Sequence, residues 1–584
     1  MNFIKLPIFL IFFECTLSSQ NPAMMSQPPL SHFEKNNNYT PTYFEVISNY
    51  KQLTELFPHI QMKEGKTTDS GFPLHEVVLS KYGFDPEIIK EKKLPVLLIN
   101  NGIHPGEPCG IDASILFVRN LLSDKDYQKI LDNMVIVVIP VYNIDGALQR
   151  NSTTRANQIG PDEYGFRGNA KNLDLNRDFI KADTKNAIGF YNIFHTWDPD
   201  IFVDTHTSNG ADYQYTMTLI ASQSDKLGAA GQKFQDEMLL PYLYVKMKEK
   251  NWEMIPYVYP LKKGIPDFGI QSFLDNPRFS SGYASLFQTW SFMPEAHMLK
   301  PYADRVYSTL AFLESISAFI SPNAEYILKT RKQWKQEIAS QNDFPLQYTL
   351  DNSKTDSLEF KGYEARYKPS EITGKDRLFY DKKAPYTKNI PYKKSFKPTM
   401  FVSKPKAYII PQAYKEIVQK LEWNKVKISQ LEKDSVFQVE RYKIVSLKTS
   451  KEVYEGHYPH SDVSVEKITG SKQYYKGDYI IFTDQEKIRF IIETLEPLAP
   501  DSYFVWNFFD GILNRKEHFS AYVFEDLAIE ILHKNPELKK KFLEKKKEDA
   551  HFALDANAQL NFIYENSVYA EPEYKIYPVA RLIE

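Results

Sequence analysis

The chain has 584 residues, which at roughly 150 residues per domain corresponds to two to four domains. Hydrophobic residues make up 42% of it and charged residues 25%, so a disordered or fibrous chain is excluded. The 72 lysines and arginines nearly balance the 74 aspartates and glutamates, so no excess of positive charge indicates nucleic acid as a partner. The composition is that of a soluble multi-domain protein, and it does not identify an activity.

Residues 1–19 have the layout of a secretory signal peptide. Lys5 precedes an apolar run at residues 6–13, and small and polar residues follow it. The run is far shorter than the roughly 20 residues needed to cross a bilayer, and no other segment is long enough. A buried N-terminal strand is the alternative interpretation. We predict a secreted or periplasmic protein with no transmembrane segment.

The sequence contains two cysteines. Cys15 would be removed with the signal peptide, which leaves Cys109 in the mature chain. Because one thiol cannot form an internal disulfide, we expect the fold to depend on core burial.

Residues 40–330 alternate between predicted strands and predicted helices. Short apolar runs at 94–100, 134–140, 200–204 and 289–293 predict buried strands. Apolar residues at helical spacing predict helices near 113–122, 184–194, 230–250 and 302–320. Continuously apolar strands that alternate with helices indicate a mainly parallel sheet covered on both faces. The fold class is therefore α/β.

The composition changes after about residue 341. Residues 345–400 are rich in lysine, tyrosine, proline and serine, which is typical of a linker or of short edge strands. From about residue 401, strand-then-helix patterns return at 407–421 and 478–495. Residues 520–549 have a helical pattern that ends in a lysine-rich run, interpreted as a solvated helix face. We predict a smaller α/β or α+β accessory domain at 401–584, with no partner that the sequence identifies.

Polar side chains directly follow each of the four predicted strands. In open α/β sheets, ligands bind at the carboxyl edge of the strands, so we expect these side chains to converge on one crevice. They are His104 and Glu107, Asn143 and Asp145, Asp204 and His206, and Glu295 and His297.

His104 and Glu107 are separated by a Pro-Gly pair, which excludes a regular helix and predicts a tight turn with both side chains on one side. Imidazole nitrogen and carboxylate oxygen suit Zn²⁺, and catalytic zinc sites usually have three protein ligands plus water. His206, at the end of another strand, is the third candidate ligand. Taken alone, His104 is equally a hydrogen-bonded structural histidine, and its combination with His206 and Glu295 favours the metal site.

Glu295 is the candidate general base, because a carboxylate beside a metal-activated water can take its proton and pass it to a leaving amine. The alternative is that Glu295 only orients a ligand histidine, a role that is also open to His297 and Asp204. Guanidinium groups can clamp a carboxylate or stabilise an oxyanion. The candidates for these two roles are Arg155, Arg167 and Arg177.

Six motifs occur in the order found in the zinc carboxypeptidases related to carboxypeptidase A, and the chain resembles that family over roughly residues 40–325. The motifs are Gly102-Ile-His104-Pro-Gly-Glu107, Asn143-Ile-Asp-Gly146, Arg155-Ala-Asn157, Asp174-Leu-Asn176-Arg177, Asp204-Thr-His206 and Glu295. The resemblance implies a mixed eight-stranded sheet with helices on both faces, in a catalytic domain at 40–330. It also implies one Zn²⁺ held by His104, Glu107 and His206.

The same resemblance implies roles for further residues. Arg155 would stabilise the oxyanion, Asn176 and Arg177 would bind the terminal carboxylate of the substrate, and Glu295 would be the general base. The family's substrate-capping tyrosine has no clear counterpart; Tyr257, Tyr259 and Tyr283 are candidates, and Tyr283 is preferred. The C-terminal part resembles an extension of some bacterial secreted members, through Leu495-Glu-Pro497, Asp501-Ser502 and Trp506-Asn-Phe-Phe509. His457 and His460 in this part are interpreted as loop residues and not as a second metal site.

The sequence thus predicts a secreted or periplasmic zinc carboxypeptidase that removes the C-terminal residue of peptides with a free C-terminal carboxylate. One alternative is a zinc amidase or deacylase on the same scaffold, for instance one that cuts cell-wall peptides. Another is a non-catalytic carbohydrate- or peptide-binding protein with the same fold. A third is that residues 404–584 dock a partner protein or a surface and carry the enzyme there.

Overall fold

The computed structural model of the protein describes residues 30–262 and 264–583. The predicted signal peptide at 1–19 and Cys15 lie outside the described residues, so secretion stays a prediction. No helix within the described ranges is long and apolar enough to cross a membrane.

The N-terminal part of the described chain consists of alternating strands and helices. The strands are β1 (Ile60–Thr67), β2 (Pro73–Leu79), β3 (Val96–Asn100), β4 (Val135–Ile139), β5 (Ile201–Asp204), β6 (His206–Ser208), β7 (Met217–Ala221), β8 (Met254–Pro256), β9 (Tyr259–Lys262), β10 (Ile265–Gln271) and β11 (Trp290–His297). The helices are α1 (His32–Lys35), α2 (Tyr43–Leu56), α3 (Pro86–Glu91), α4 (Cys109–Ser123), α5 (Ile144–Ala147), α6 (Lys185–Trp197), α7 (Ala229–Phe234), α8 (Leu240–Glu249), α9 (Ser280–Ser285), α10 (Tyr302–Ile320) and α11 (Ala324–Ser340).

One mixed sheet carries the site. Its strand order is β1-β2-β4-β3-β5-β11-β7-β8, and the short β6 pairs with β11 beyond the end of β5. The central strands β4, β3, β5 and β11 are parallel, whereas β1, β2 and β7 pair antiparallel to their inner neighbours. Every residue of β3, β4 and β5 is buried, as expected for strands covered on both faces. The predicted α/β class and the mixed sheet with a parallel centre are confirmed.

The predicted elements match the structure where the sequence marks their ends clearly. The four predicted strands are β3, β4, β5 and β11, and the helix predicted at 302–320 is α10. Helix α6 begins where the Thr184 side chain accepts the Ala187 N–H, and it ends where Asp198 takes a left-handed φ of 42°. The helix predicted at 230–250 is α7 and α8 joined by a π-helical turn at Gln235–Leu239.

The strand that carries His206 and the helix that follows Glu107 approach each other closely. Thr205 separates β5 from β6, and a Cβ atom at Gly110 in α4 would lie only 1.9 Å from Thr205 Oγ1. Because α4 offers only a glycine at this point, its N-terminal end reaches the edge of the sheet where β6 begins. This approach brings the His104–Glu107 turn next to His206.

The C-terminal part adds three smaller sheets and a group of helices. The strands are β12 (Asp343–Leu350), β13 (Asp356–Pro369), β14 (Asp376–Lys393), β15 (Phe396–Ser403), β16 (Ala407–Ile410), β17 (Ser429–Gln430), β18 (Ser435–Thr449), β19 (His460–Tyr474), β20 (Tyr479–Phe482) and β21 (Ala580–Leu582). The helices are α12 (Lys415–Trp423), α13 (Ile488–Leu495), α14 (Ala521–Lys534), α15 (Pro536–Glu548), α16 (Ala550–Leu554) and α17 (Ala556–Glu565). Residues 345–400 thus lie in β12 to β15, and β14 pairs with β10 beside the main sheet.

The C-terminal part shares its core with the main sheet. Strands β16 to β21 form one sheet of order β17-β20-β16-β21-β18-β19. Tyr408 in β16, Leu421 in α12, Phe490 in α13 and Trp506 all belong to the buried apolar cluster that also contains β3 and β4. A continuous core means that the two parts are in fixed contact, and the boundaries 40–330 and 401–584 stay predictions.

Candidate metal centre and substrate-binding site

The three predicted metal ligands lie together at the carboxyl edge of the sheet. His104 and Glu107 are in the turn between β3 and α4, and His206 begins β6. One ligand atom from each of them lies within 4.8 Å of the others, and all three side chains are buried. We refer to His104, Glu107 and His206 as the metal-ligand group.

Both imidazole rings of this group are oriented by carboxylates outside it. His104 Nε2 lies 2.9 Å from Asp174 Oδ1, and His206 Nε2 lies 3.1 Å from Asp204 Oδ2. A proton shared with these carboxylates occupies Nε2, so Nδ1 is the atom that a metal could bind in place of a second proton. Asp174 was not assigned this role from the sequence, although it lies in the Asp174-Leu-Asn176-Arg177 motif.

Both Nδ1 atoms face Glu107. They lie 3.3 Å (His104) and 3.1 Å (His206) from its carboxylate oxygens. His104 Nδ1 is buried and makes no hydrogen bond with any described residue. A buried nitrogen without a hydrogen-bond partner, beside a carboxylate and a second imidazole nitrogen, is a donor set that could hold a metal ion.

The charges around the metal-ligand group favour an ionised Glu107. Burial alone raises the pKa of Glu107, but the neighbouring His104 and Arg155 charges outweigh burial and hold that pKa well below its usual range. Burial likewise works against the charged form of His206, yet the Asp204 carboxylate raises its pKa well above the usual value. The pKa of Asp174 is low for the same reason, since His104 and Arg167 overcome the effect of burial.

Glu295 lies across from the metal-ligand group on the adjacent strand. In the parallel pairing of β6 and β11 its register partner is His206, and its side chain is buried. Burial raises the pKa of Glu295 to about 7, with Glu107 adding to the rise and His206 opposing it. A carboxylate with this pKa can both take and give a proton near neutral pH.

Two of the three candidate arginines converge on Glu107. Arg155 donates from Nη1 to Glu107 Oε1 (2.8 Å) and from Nη2 to the Thr207 carbonyl oxygen (3.2 Å). Arg167 donates to the same Glu107 oxygen (3.2 Å) and to Asp174 (3.0 Å). Both guanidinium groups therefore lie at the edge of the metal-ligand group, where they can meet negative charge that develops on a bound substrate.

Asn176 and Arg177 lie on a short 3-10 turn at Leu175–Arg177, and we refer to them as the carboxylate-binding pair. Asn176 Oδ1 accepts the backbone N–H of Ser280 (3.0 Å). The Arg177 guanidinium stacks over the Phe279 ring at 4.6 Å and donates from Nη1 to the Asn176 carbonyl oxygen (2.8 Å). These contacts fix the orientation of both side chains.

The metal-ligand group, Glu295, Arg155, Arg167 and the carboxylate-binding pair line one cavity of about 250 Å³. Part of its lining is apolar: Ile220 and Met293 are register partners on β7 and β11, and Met293 precedes Glu295 by two residues on the same face. The lining residues are His104, Glu107, Arg155, Arg167, Asn176, Arg177, His206, Thr207, Ser208, Asn209, Ile220, Tyr257, Phe273, Phe279, Met293 and Glu295. The cavity thus brings together His104, Glu107, Arg155, Asn176, Arg177, His206 and Glu295, whereas Tyr283 does not line it.

Tyr283, the preferred candidate for the substrate-capping residue, does not line the cavity, so that assignment stays a prediction. Tyr283 is fully buried in α9, where its hydroxyl group lies 2.7 Å from Asn424 Oδ1 and its ring stacks on Tyr191. Tyr257 lines the cavity instead, and its pKa is raised by burial and by the nearby Glu295. Tyr259 is half exposed and does not line the cavity.

Other candidates lie outside the metal-ligand group. His297 Nε2 binds the Ala211 carbonyl oxygen at 2.9 Å, and His457 and His460 bind Asp183 and Asp510. Cys109 is buried at the start of α4, and its Sγ lies 3.5 Å from Thr207 Oγ1. Burial raises the pKa of this thiol, so it stays protonated beside the site.

Comparisons with known proteins match part of the chain to one protein family. Residues 47–257 match the model of a protein family described as zinc carboxypeptidase. This range contains the metal-ligand group, Arg155 and the carboxylate-binding pair, whereas Glu295 lies beyond its end.

The chain is similar to named carboxypeptidases. Carboxypeptidase 2 of Trichophyton rubrum is 23% identical over 501 residues, which cover 83% of this chain and 87% of that protein. Carboxypeptidase 2 of Trichophyton tonsurans is 23% identical over 420 residues, which cover 69% and 72%. Among solved structures, carboxypeptidase A of Helicoverpa armigera matches with a TM-score of 0.38 and 14% identity, over 50% of this chain and 74% of that one. The metallo-carboxypeptidase of Pseudomonas aeruginosa matches with a TM-score of 0.36 and 14% identity, over 47% and 68%.

Proposed function

We propose that the chain removes the C-terminal residue of peptides with one bound Zn²⁺, since residues 47–257 match the zinc carboxypeptidase family model and the chain is similar to named carboxypeptidases. One observation supports this most directly. A single cavity combines the metal-ligand group, a buried glutamate on the next strand and the carboxylate-binding pair. These are the parts needed to hold a metal, move a proton and recognise a chain end.

The metal-ligand group fits Zn²⁺. Two imidazole nitrogens and a carboxylate oxygen are a common ligand set of catalytic zinc sites, which keep a further position open. The partnerless Nδ1 atom of His104 and the carboxylates behind both rings agree with such a site. When bound there, Zn²⁺ polarises a carbonyl group and lowers the pKa of water.

Glu295 is the proton carrier of the proposed reaction. It accepts the proton of the attacking water and donates it to the nitrogen of the departing residue. Its position opposite His206 and its pKa of about 7 both support this role. Arg155 would donate hydrogen bonds to the oxyanion that forms when the peptide carbonyl is attacked.

The carboxylate-binding pair would select for the end of a chain. A guanidinium group and a carboxylate form charge-assisted hydrogen bonds, and a peptide without a free carboxylate leaves Arg177 unpaired in the cavity. The requirement for a free carboxylate distinguishes a carboxypeptidase from an amidase or deacylase on the same scaffold. Efficient cleavage of a peptide with an amidated C-terminus would favour the amidase or deacylase.

Replacing Arg177 with lysine tests this recognition. We expect KM for an N-acylated dipeptide with a free carboxylate to rise about 10- to 100-fold, because hydrogen bonds to charged groups contribute about 1.5–3 kcal/mol and lysine lacks the planar fork. Steady-state kinetics on the free acid and on its C-terminal amide provide the measurement. Arg366→Lys, at an exposed position on β13, is the matched control. An equal loss on both substrates would contradict a role in carboxylate recognition.

The apolar part of the cavity predicts the preferred last residue. The residues that face this space include Ile220, Met293, Tyr257 and two phenylalanines. The carboxylates of the lining belong to Glu107 and Glu295, which have other roles in the proposed reaction. We expect kcat/KM to be about 10- to 100-fold higher for a C-terminal leucine or phenylalanine than for alanine, since burying such a side chain stabilises a complex by about 1.5–3 kcal/mol. A panel of peptides that differ only in the last residue measures this. Preference for lysine or arginine would contradict it.

A further inference from the structure

We propose that the C-terminal part of the chain is a positioning element of the substrate site, which it reaches through Tyr454 and Glu455 at the tip of the β18–β19 hairpin. The inference rests on the proposed function, because it concerns how Arg177 is held for binding a terminal carboxylate. We refer to residues Tyr454–His457 as the hairpin tip.

Tyr454 binds the Arg177 guanidinium directly. Arg177 Nε donates to the Tyr454 hydroxyl group at 3.0 Å, although the two residues are 277 positions apart in the chain. The Tyr454 ring is held in turn by stacking on the buried Trp506, with ring centroids 6.0 Å apart. Phe279 covers one face of the guanidinium. Arg177 Nη2 makes no hydrogen bond with a described residue and is available to a substrate.

Glu455 holds the other end of the turn that carries Arg177. Its Oε2 accepts the backbone N–H of Asp174 at 2.7 Å, and the Asp174 side chain binds His104 Nε2. Asp174 also caps the 3-10 turn, since its Oδ1 accepts the Asn176 N–H at 2.9 Å. The hairpin tip therefore contacts both the first residue and the last residue of the Asp174–Arg177 segment.

The backbone of the hairpin tip supports a role for the Glu455 side chain. Tyr454 and His457 pair with each other, and Glu455 and Gly456 between them have φ angles of 51° and 81°. Asparagine or aspartate followed by glycine is the favoured sequence for such a two-residue turn, so a glutamate here is locally unfavourable. The contact with Asp174 offsets this cost, and asparagine is too short to make the same contact.

A second contact of the C-terminal part lies next to the ring on which Arg177 stacks. Arg278 donates from its backbone N–H and from Nε to the buried Asp501 carboxylate at 2.8 and 2.7 Å. Its guanidinium also lies 4.9 Å from the Trp506 ring. The next residue, Phe279, is the ring that stacks on Arg177. The C-terminal part thus contacts Arg177 directly through Tyr454 and indirectly through Arg278, the neighbour of Phe279.

The Tyr454→Phe variant of the full chain removes one hydroxyl group and nothing else. We expect KM for the free-acid dipeptide to rise about three- to tenfold with kcat changed less than twofold, because the guanidinium loses one of its fixed partners. The amidated dipeptide should be hydrolysed as by the wild type. Binding of the free amino acid product, measured by calorimetry, should weaken by the same factor. Tyr458→Phe, next to the hairpin tip and half exposed, is the matched control and should leave KM unchanged.

The Glu455→Asn variant tests the second contact without disturbing the turn. Asparagine tolerates the left-handed conformation, so the melting temperature should stay the same or rise while KM for the free acid increases. Wild-type KM values in both variants would overturn the inference. A wild-type enzyme that does not cleave the free-acid dipeptide would instead overturn the proposed function, so the two failures are distinguishable.

Discussion

Glu295→Gln is expected to lower kcat by about 10²- to 10⁴-fold while zinc remains bound, because glutamine keeps the shape of the side chain and cannot carry a proton. Glu295 is placed for this role by the pairing of β11 with β6 opposite His206. Turnover of the free-acid dipeptide and the zinc content of the purified protein are the two measurements. Glu325→Gln, exposed at the start of α11, is the control. Turnover within a factor of two of the wild type would remove Glu295 as the base.

The same variant should change the pH dependence of stability in the metal-free protein. The pKa of Glu295 is about 7 in the folded state and about 4.3 in an unfolded chain. Folding therefore favours the protonated carboxyl group, and its contribution to stability is lost as the pH rises from about 4.3 to about 7. We expect Glu295→Gln to have a higher free energy of unfolding than the wild type at pH 8. The difference should shrink toward pH 5, which denaturant titrations at the two pH values would show.

His206→Ala is expected to weaken zinc binding at least about 100-fold and to abolish peptide hydrolysis. Apparent zinc-binding free energies of about 10–16 kcal/mol for four ligands correspond to about 3 kcal/mol per ligand, or roughly a factor of 100. His206 is buried at the start of β6, with one ligand atom within 4.8 Å of those of His104 and Glu107. Competition with a chelator of known affinity measures the change.

Two further variants make the zinc measurement specific: one with an expected intermediate effect and one with no expected effect. Asp204→Asn weakens the partner of His206 Nε2 and should reduce zinc affinity by about 10- to 100-fold, since such orienting contacts contribute that much. His518→Ala, at an exposed position, should have no effect. Equal zinc affinity in His206→Ala and the wild type would show that the metal-ligand group does not bind zinc.

The sequence was sufficient to predict the centre of the fold and the proximity of His104, Glu107 and His206. Strands β3, β4 and β5 are continuously apolar because both of their faces are covered, and polar residues follow each of them directly. Parallel strands end at one edge, so His104 and His206 could be placed together from their positions after strands. The same reasoning placed Glu295, although β11 continues past it to His297.

The sequence was not sufficient where a short element or a distant contact decides the outcome. Helix α9 spans only Ser280–Ser285, and no pattern over six residues shows that Phe279 faces the cavity while Tyr283 faces the core. The contacts of Tyr454 and Glu455 join residues more than 270 positions apart. Local periodicity carries no information about such contacts, because they depend on how two separate sheets pack.

The position of Cys109 has a consequence for the chemical durability of the protein. Its thiol is buried at the start of α4, two residues after Glu107, and burial keeps it protonated. Oxidants and alkylating reagents attack thiolates that they can reach, so this sulfur offers them no target while α4 remains packed. An oxidising environment outside the cell would therefore leave the neighbourhood of the site chemically intact.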